Sequence, residues 1–235
     1  MSRLWPDRLY VSIEPESAAI CRVHGKTVSK SFFETDSPVE KLKSFKNEHV
    51  RVTVVLSNRL VRYAIVPHDA AVATPEEEQA LARFHFTRIY GERAKGWALR
   101  LSESRLACGI DAELLKAIRE CFPRSGRARL ASVQPWLMAA YNQWRPREER
   151  AWLVLLERER ACLALASPRG WQSVQSLRLQ DGEDLFPMLE REALRAGDGA
   201  PRKAVVFGGR PPAAPGWQVG YSPLEQRYAM AMSAL

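Results

Sequence analysis

Apolar and polar residues follow a pattern along the chain that predicts two similar sets of strands and helices. Short β-rich runs between turn signals indicate strands, and longer stretches with a helical period indicate helices. The first set comprises strands at residues 9–13, 18–23 and 27–33, a helix from residue 38 and a strand at 50–56. The second set comprises strands at residues 152–156, 161–166 and 171–179, a helix from residue 185 and a strand at 203–207. The chain is therefore predicted to contain a β-β-β-α-β unit twice, with negligible sequence identity between the two copies.

Three segments combine a hydroxyl residue, a proline and a glutamate in the order typical of helix starts. They are Ser37-Pro38-Val39-Glu40, Thr74-Pro75-Glu76-Glu77 and Ser222-Pro223-Leu224-Glu225. In such a segment the hydroxyl accepts the amide hydrogen of the third helical residue, the proline loses no hydrogen bond, and the glutamate reaches back to the cap. We also expect Asp111 and Asp184 to cap helices, and a further helix over residues 135–144.

An additional block separates the two copies of the unit. It comprises a strand at residues 60–66, a helix at 75–90, and a hairpin formed by 97–101 and 105–110. A charged, proline-containing stretch without periodicity follows at residues 145–150. We therefore predict a first half over residues 1–150, with an inserted subdomain at about 58–110, and a second half over residues 151–235. In each half the strand after the helix should lie parallel to the first strand, and the two sheets should face each other across a cleft.

Composition indicates a globular protein with a substantial core. Hydrophobic residues make up 46% of the chain and charged residues 26%, and no window approaches the roughly 18 apolar residues of a membrane-spanning helix. Residues 1–7 carry charges and a proline where a secretory signal needs an apolar stretch, so we expect a cytoplasmic protein. The net charge of +8 favours acidic partners, although acidic residues interrupt each basic cluster and leave no continuous stripe for tracking phosphates.

Sequence motifs for metal or nucleotide chemistry are not found. The four histidines are isolated, and the four cysteines, which lack the C-x-x-C spacing, are expected to be buried small hydrophobes. The chain contains neither G-x-S-x-G, nor a G-x-x-x-x-G-K-[ST] phosphate loop, nor G-x-G-x-x-G after a strand. We therefore predict no metal site and no catalytic residue.

The duplicated β-β-β-α-β order resembles the actin-like ATPase superfamily. The block inserted in the first half is most similar to the group formed by the pilus assembly protein PilM and the cytoplasmic domain of type II secretion protein L. This resemblance implies an α/β fold in which duplicated RNase H-like, or actin-like, mixed sheets are flanked by helices, with an inserted subdomain in the first half.

Three loops decide whether such a fold can hold ATP, and the first two depart from the pattern of the superfamily. The resemblance places an Asp-x-Gly loop in each first hairpin, but Ser12-Ile13-Glu14 and Leu155-Leu156-Glu157 stand there instead. A carboxylate replaces each phosphate-cradling glycine, and it would repel a triphosphate. The third loop, Gly208-Gly209 after a buried strand, resembles a remnant of the adenosine-binding turn. Paired glycines also start ordinary tight turns. We expect no cofactor, and ATP with Mg²⁺ is disfavoured.

Candidate partner-binding residues lie on two predicted helices. The helix from residue 75 is apolar on two faces, with Leu81 and Phe86 on one arc and Phe84 nearly opposite. Trp136 and Trp144 lie eight residues apart, on one broad face of another helix. Both sets could instead pack in the core of the protein.

The resemblance implies a non-catalytic adaptor, peripheral to the cytoplasmic face of a bacterial inner membrane, in a type IV pilus or type II secretion-like assembly. Its partners would be the cytoplasmic tail of a bitopic inner-membrane protein and an assembly ATPase. A working ATPase or small-molecule kinase with the same fold is the first alternative. Nucleic-acid binding by an RNase H-like protein is the second, and it is disfavoured because the first hairpin supplies only Glu14 and Glu16 as metal-holding carboxylates.

Overall fold

A computed structural model describes residues 7–72, 74–123, 125–144, 149–179, 184–197, 199–210 and 215–235. The strands are β1 (Asp7–Ile13), β2 (Ser17–His24), β3 (Thr27–Glu34), β4 (Val50–Leu56), β5 (Val61–Ile65), β6 (Trp97–Leu101), β7 (Leu106–Asp111), β8 (Arg129–Pro135), β9 (Ala151–Glu157), β10 (Arg160–Ser167), β11 (Gly170–Arg178), β12 (Lys203–Phe207) and β13 (Gln218–Tyr221). The helices are α1 (Glu40–Lys43), α2 (Pro75–Tyr90), α3 (Ala112–Glu120), α4 (Trp136–Trp144), α5 (Leu185–Arg195) and α6 (Ala229–Met232), and two 3-10 helices span Gly91–Gly96 and Gln226–Tyr228. Within the described part of the chain, no helix is both long and apolar enough to cross a membrane.

Contacts divide the chain into two compact units. The first unit takes its residues from 1–60, 113–143 and 224–235, and the second from 61–112 and 144–223. Each unit contains a five-stranded mixed sheet, and the second unit also contains the three-stranded sheet of the inserted block.

The sheet of the first unit has the strand order β3-β2-β1-β4-β8. The hairpins that join β1, β2 and β3 are antiparallel, whereas β4 lies parallel to both β1 and β8. This is the pairing that the sequence predicted for the strand after the helix. Apolar side chains of β1 and β4, among them Leu9, Val11 and Val54, are fully buried. The hydrophobic core of this unit is therefore formed around these two strands.

The sheet of the second unit repeats this arrangement in the order β11-β10-β9-β12-β13. Here β9 is antiparallel to β10 and parallel to β12. Asp184 caps helix α5 as predicted, and its carboxylate accepts the amide hydrogen of Phe186 at 3.0 Å. Its buried face meets Trp152 and Leu163 in one apolar cluster. The predicted duplication of a β-β-β-α-β unit is therefore present.

The inserted sheet has the order β5-β7-β6, and its core includes one face of helix α2. Thr74 caps this helix as predicted. Its Oγ1 accepts from the amide of Glu77 at 3.2 Å, and its own amide donates to the Glu77 carboxylate at 2.9 Å. Ala82 and Phe86 of the helix are fully buried against this small sheet.

Two of the predicted helix starts are wrong in detail. Helix α1 begins at Glu40 and has no side-chain cap, because the amide of Glu40 donates to the carbonyl oxygen of Ser37 at 3.0 Å and not to its hydroxyl. The amide of Ser222 donates to the carbonyl oxygen of Val206 at 2.8 Å, which keeps the chain extended beyond β13. Helical structure therefore starts only after Glu225. Residues 145–148 of the predicted boundary at 145–150 lie outside the described residues.

Candidate functional site

The first hairpin of the first unit uses its polar groups internally. Ser12 is 1% exposed, and its hydroxyl donates to the carbonyl oxygen of Ala19 at 3.4 Å. The amide of Glu14 donates to the carbonyl oxygen of Ser17 at 3.0 Å, and Pro15 has no amide hydrogen to offer. A phosphate-binding loop needs several backbone N–H groups directed at the ligand. This turn therefore lacks two of the donors that such a loop would provide.

The carboxylate of Glu16 in this hairpin forms an ion pair within the first unit. Both carboxylate oxygens of Glu16 accept hydrogen bonds from the Arg59 guanidinium, at 2.6 and 3.0 Å. A bidentate pair of this kind fixes both side chains more firmly than a single contact does. The pair joins the β1–β2 turn to the segment after β4.

The equivalent hairpin of the second unit is apolar up to its turn. Leu155 is fully buried and lies opposite Cys162 on β10 and Phe207 on β12. Glu157 ends the strand opposite Arg160, and the turn between them contains Glu159 with a left-handed φ of 58°. The position at which the superfamily pattern has an aspartate is therefore part of the hydrophobic core.

The paired glycines that follow β12 lie against this hairpin within the second unit. Gly208 is buried and has a φ of 79°, a conformation that side chains other than glycine seldom adopt. A Cβ added to Gly209 would lie 2.9 Å from Cδ1 of Leu156, so the leucine side chain contacts the glycine directly. The structure thus brings together Gly209 and the middle residue of the Leu155-Leu156-Glu157 loop.

The five candidate partner-binding residues differ in their accessibility. Phe86 is fully buried, and Trp136 is 2% exposed and donates its indole N–H to Oγ of Ser233 at 3.2 Å. This corrects the sequence expectation for these two residues, because packing within their own units leaves no surface for a partner. Leu81 and Trp144 are half-buried, whereas Phe84 is 60% exposed on the opposite side of α2 from Phe86. Phe84 is therefore the most accessible of the five.

Titratable groups suitable for metal binding do not cluster in the described part of the chain. No group of three or more His, Cys, Asp or Glu residues lies close enough there to hold an ion. Three of the four cysteines are buried, and burial raises the pKa of the Cys21 thiol to about 11. A thiol with a raised pKa is mostly protonated at neutral pH and is a poor nucleophile.

Sequence reasoning missed a polar cavity in the first unit. Its volume is about 680 Å³, and Arg8, Arg51, Thr53 and Gln134 are among the residues that line it. The signal was present in β4, where Arg51 and Thr53 alternate with valines. Such alternation is typical of a strand with one solvated face.

Comparisons with known proteins show what class of fold this is. The sequence matches no protein-family model and no curated protein. A Bacteroides thetaiotaomicron protein described as having an actin-like ATPase fold and unknown function is similar in structure, with a TM-score of 0.63 and 11% identity over 100% of this chain and 98% of that one. The predicted actin-like fold, with its duplicated RNase H-like sheets and inserted subdomain, is therefore confirmed.

Two further structures are similar over nearly the full length of the chain. The cytoplasmic domain of EpsL, an inner membrane component of the type II secretion system of Vibrio cholerae, has a TM-score of 0.63 and 12% identity, over 97% of this chain and 94% of that one. The PilM–PilN type IV pilus biogenesis complex gives 0.63 and 13%, over 97% of each chain. At such low identity the likeness shows a shared fold, and the predicted resemblance to this group holds at that level.

Proposed function

We propose that this protein is a non-catalytic actin-like adaptor that binds the cytoplasmic segment of an inner-membrane protein in a type IV pilus or type II secretion-like assembly. The observation that carries the proposal is the packing of the second hairpin, where Leu155 is in the core and Leu156 contacts Gly209. The similarity to the EpsL cytoplasmic domain and to PilM in its complex with PilN supports the choice of assembly system.

The two hairpins favour a scaffold over an ATPase for an electrostatic reason. Glu14 and Glu157 carry acidic side chains where the superfamily resemblance places glycines beside the phosphates. Like charges repel strongly when water is excluded, and the amide of Glu14 is already used within its turn. In this proposal the paired sheets supply a stable shape, and the chain acts by binding other proteins at the cytoplasmic side of the membrane.

The exposed face of α2 is the proposed contact surface. Phe84 presents 60% of its area to solvent, and its ring lies edge-on to that of His85 at a centroid separation of 5.9 Å. Large aromatic side chains are enriched among the residues that contribute most to binding at interfaces. The opposite face of the helix is anchored by Phe86, so a partner would meet a rigid surface.

The test is affinity capture with the full chain from detergent-solubilised inner membranes, followed by binding of a synthetic peptide. We expect enrichment of a bitopic inner-membrane protein and saturable binding of its cytoplasmic tail. Phe84→Ala should weaken tail binding by about tenfold, a typical effect at a central interface residue. Leu194→Ala is the matched control, because Leu194 is 77% exposed on α5, outside the proposed surface. If both substitutions weaken tail binding equally, α2 is not the contact surface.

A nucleotide experiment separates the adaptor from the ATPase or kinase alternative. A ligand at 100 times its dissociation constant stabilises a protein by about 2.7 kcal/mol, which for a chain of this size raises the melting temperature by roughly 5–10 °C. We expect no such shift with Mg-ATP and no hydrolysis above a boiled control. A saturable shift accompanied by turnover would overturn the proposal.

A further inference from the structure

The polar cavity of the first unit lies on one face of its sheet. Strand register places Arg8 opposite Arg51, Tyr10 opposite Thr53, and Thr53 opposite Ser132, so these side chains share that face. Helix α4 and residues 233–235 supply the walls of the cavity. Three neighbouring strands therefore direct polar side chains into a space that the helices leave open.

A hydrogen bond fixes the two walls of the cavity relative to each other. The hydroxyl of Ser233 accepts from the indole N–H of Trp136 at 3.2 Å and donates to the carbonyl oxygen of Ala229 at 2.6 Å. Trp136 and Ser233 are both buried, and each belongs to one wall. The cavity is thus preformed, which reduces the entropy cost of binding.

A second hollow of about 360 Å³ continues the cavity along β8. The two hollows share Arg51 and Ala131, and the second is also lined by Arg127 and Arg129. Together they form a groove beside residues 127–134, which we call the β8 groove. The part of the groove beside β8, residues 129–134, spans five residue steps of about 3.3 Å, or roughly 17 Å, and Arg127 extends it further. This length matches an extended peptide of at least five residues.

The described residues that line the β8 groove include basic side chains but no acidic one. Arginine contributes four residues, and histidine contributes His49. Among the described residues, no carboxylate lies within ion-pair distance of Arg8, Arg51 or Arg127, as the set of ion pairs shows. A concave surface with one sign of charge focuses the electrostatic field and attracts ligands of opposite charge.

Acidic residues near the groove in sequence are already paired elsewhere. Asp7 and Glu48 precede Arg8 and His49, but both of their carboxylates bind the Arg22 guanidinium. Arg22 lies opposite Leu9 in the register and therefore on the other face of the sheet from Arg8. These two carboxylates therefore do not neutralise Arg8 or Arg51.

Neutral polar side chains line another part of the groove, beside apolar residues such as Ala139, Ala234 and Leu235. Ser132, Gln134, Asn142 and Gln143 can each donate and accept hydrogen bonds. Such groups suit the alternating N–H and C=O groups of an extended peptide backbone, while the arginines at the other end suit carboxylates. From these observations we propose that the β8 groove binds an extended acidic segment of a partner polypeptide, with its carboxylates at the end formed by Arg51 and Arg127. This inference does not depend on the adaptor proposal.

Fluorescence anisotropy with the full chain tests the proposal. The probe is a labelled octapeptide of Glu and Asp alternating with Ser, and its control is the same peptide with Gln and Asn. We expect saturable binding of the acidic peptide and at least tenfold weaker binding of the neutral one. The double variant Arg51→Glu and Arg127→Glu should lower the affinity for the acidic peptide at least tenfold, with an unchanged circular dichroism spectrum.

Matched controls distinguish a specific groove from general attraction to a basic protein. Arg88→Glu with Arg93→Glu changes the net charge by the same amount at exposed positions of the second unit, and it should leave binding within about twofold of the wild type. An equal loss in both double variants would overturn the proposal. Tighter binding of a single-stranded oligonucleotide of equal charge, or of vesicles containing anionic lipid, with the same sensitivity to Arg51 and Arg127, would assign the groove to phosphates and also overturn it.

Discussion

Gly109 in the inserted sheet is a position at which one added methyl group should destabilise the protein. A Cβ at this residue of β7 would lie 2.7 Å from Cε1 of Phe86, 2.9 Å from Cδ2 of Leu99 and 3.1 Å from Cε3 of Trp97. Phe86 is fully buried, and its ring packs edge-to-face on that of Trp97 at a centroid separation of 6.2 Å. Gly109→Ala therefore requires at least one aromatic ring to move.

The expected magnitude follows from two opposing contributions. At a strand position without unusual backbone angles, replacing glycine by alanine stabilises a protein by roughly 0.4–1 kcal/mol through the unfolded state. Forcing an extra methyl group into a filled core costs roughly 1–3 kcal/mol. The steric cost is larger here because three side chains converge on one point, so Gly109→Ala should lower the free energy of unfolding by about 1–2 kcal/mol.

Urea unfolding of four proteins measures this effect. They are the wild type, Gly109→Ala, Phe86→Leu and the double variant. The comparison requires that the slope of the unfolding free energy against urea concentration is the same in all four. The smaller leucine removes the shortest of the three contacts, so Gly109→Ala should cost less in the Phe86→Leu background, and the cycle should show a coupling of about 1 kcal/mol. Stabilisation by Gly109→Ala in the wild-type background would refute the packing of Phe86 against this strand, and would make Phe86 again a candidate for partner contact.

Three further predictions concern a cap, an ion pair and a turn. Thr74→Ala removes half of the capping box and should lower stability by about 1 kcal/mol in thermal unfolding followed by circular dichroism, and no change would contradict the cap. A hydrogen bond from His24 lowers the pKa of Asp7, and the positive charges of His24 and Arg22 add to this effect. The ionised carboxylate therefore stabilises the fold at any pH above the pKa of an unfolded aspartate. This stabilisation is lost as the pH falls through the lower pKa of Asp7 in the folded protein. Asp7→Asn should therefore flatten the stability profile below about pH 4, and an unaltered profile would count against the ion pair. Gly208→Ala should cost about 1–2 kcal/mol in urea unfolding, since its φ of 79° is unfavourable for alanine, and a neutral result would show that the turn can relax.

Local sequence signals predicted the elements whose hydrogen bonds are themselves local. Thr74 and Asp184 cap helices because their side chains reach amides two or three residues away. Ser222, in another of the three motifs, has similar neighbours in sequence but a hydrogen-bond partner far away in the chain. The amide of Ser222 binds Val206, 16 positions earlier in the chain, and no window around Ser222 contains that information.

Strand β13 was missed for a related reason. Its four residues, Gln218–Tyr221, include a glycine and only one β-branched side chain, so their intrinsic preference for a strand is weak. The segment is extended because it pairs in parallel with β12, with Ala204 opposite Val219. Pairing between distant segments overrides local propensity, and it becomes visible only when the sheet is assembled.

The residue types of the candidate site were readable from the sequence, whereas their packing was not. The sequence identified Leu155 and Glu157 as departures from a phosphate loop, but the contact of Leu156 with Gly209 depends on the register of β9 and β12. Periodicity likewise showed that α2 is apolar on two faces without deciding which face the inserted sheet covers. The burial of Phe86 and the exposure of Phe84 settle that choice.

The persistence of the fold without phosphate-type loops has a simple physical explanation. The strand order depends on backbone hydrogen bonds and on the apolar faces of β1, β4, β9 and β12, and Leu155 on β9 is part of that apolar core. A carboxylate at the position of Leu155 would need partners to offset its burial, whereas leucine there contributes about 1.5–3 kcal/mol of apolar burial. A chain that does not bind a triphosphate therefore gains stability from an apolar residue at this point. The fold is thus shared with structures at only 11–13% identity, and it does not require an aspartate at the position of Leu155.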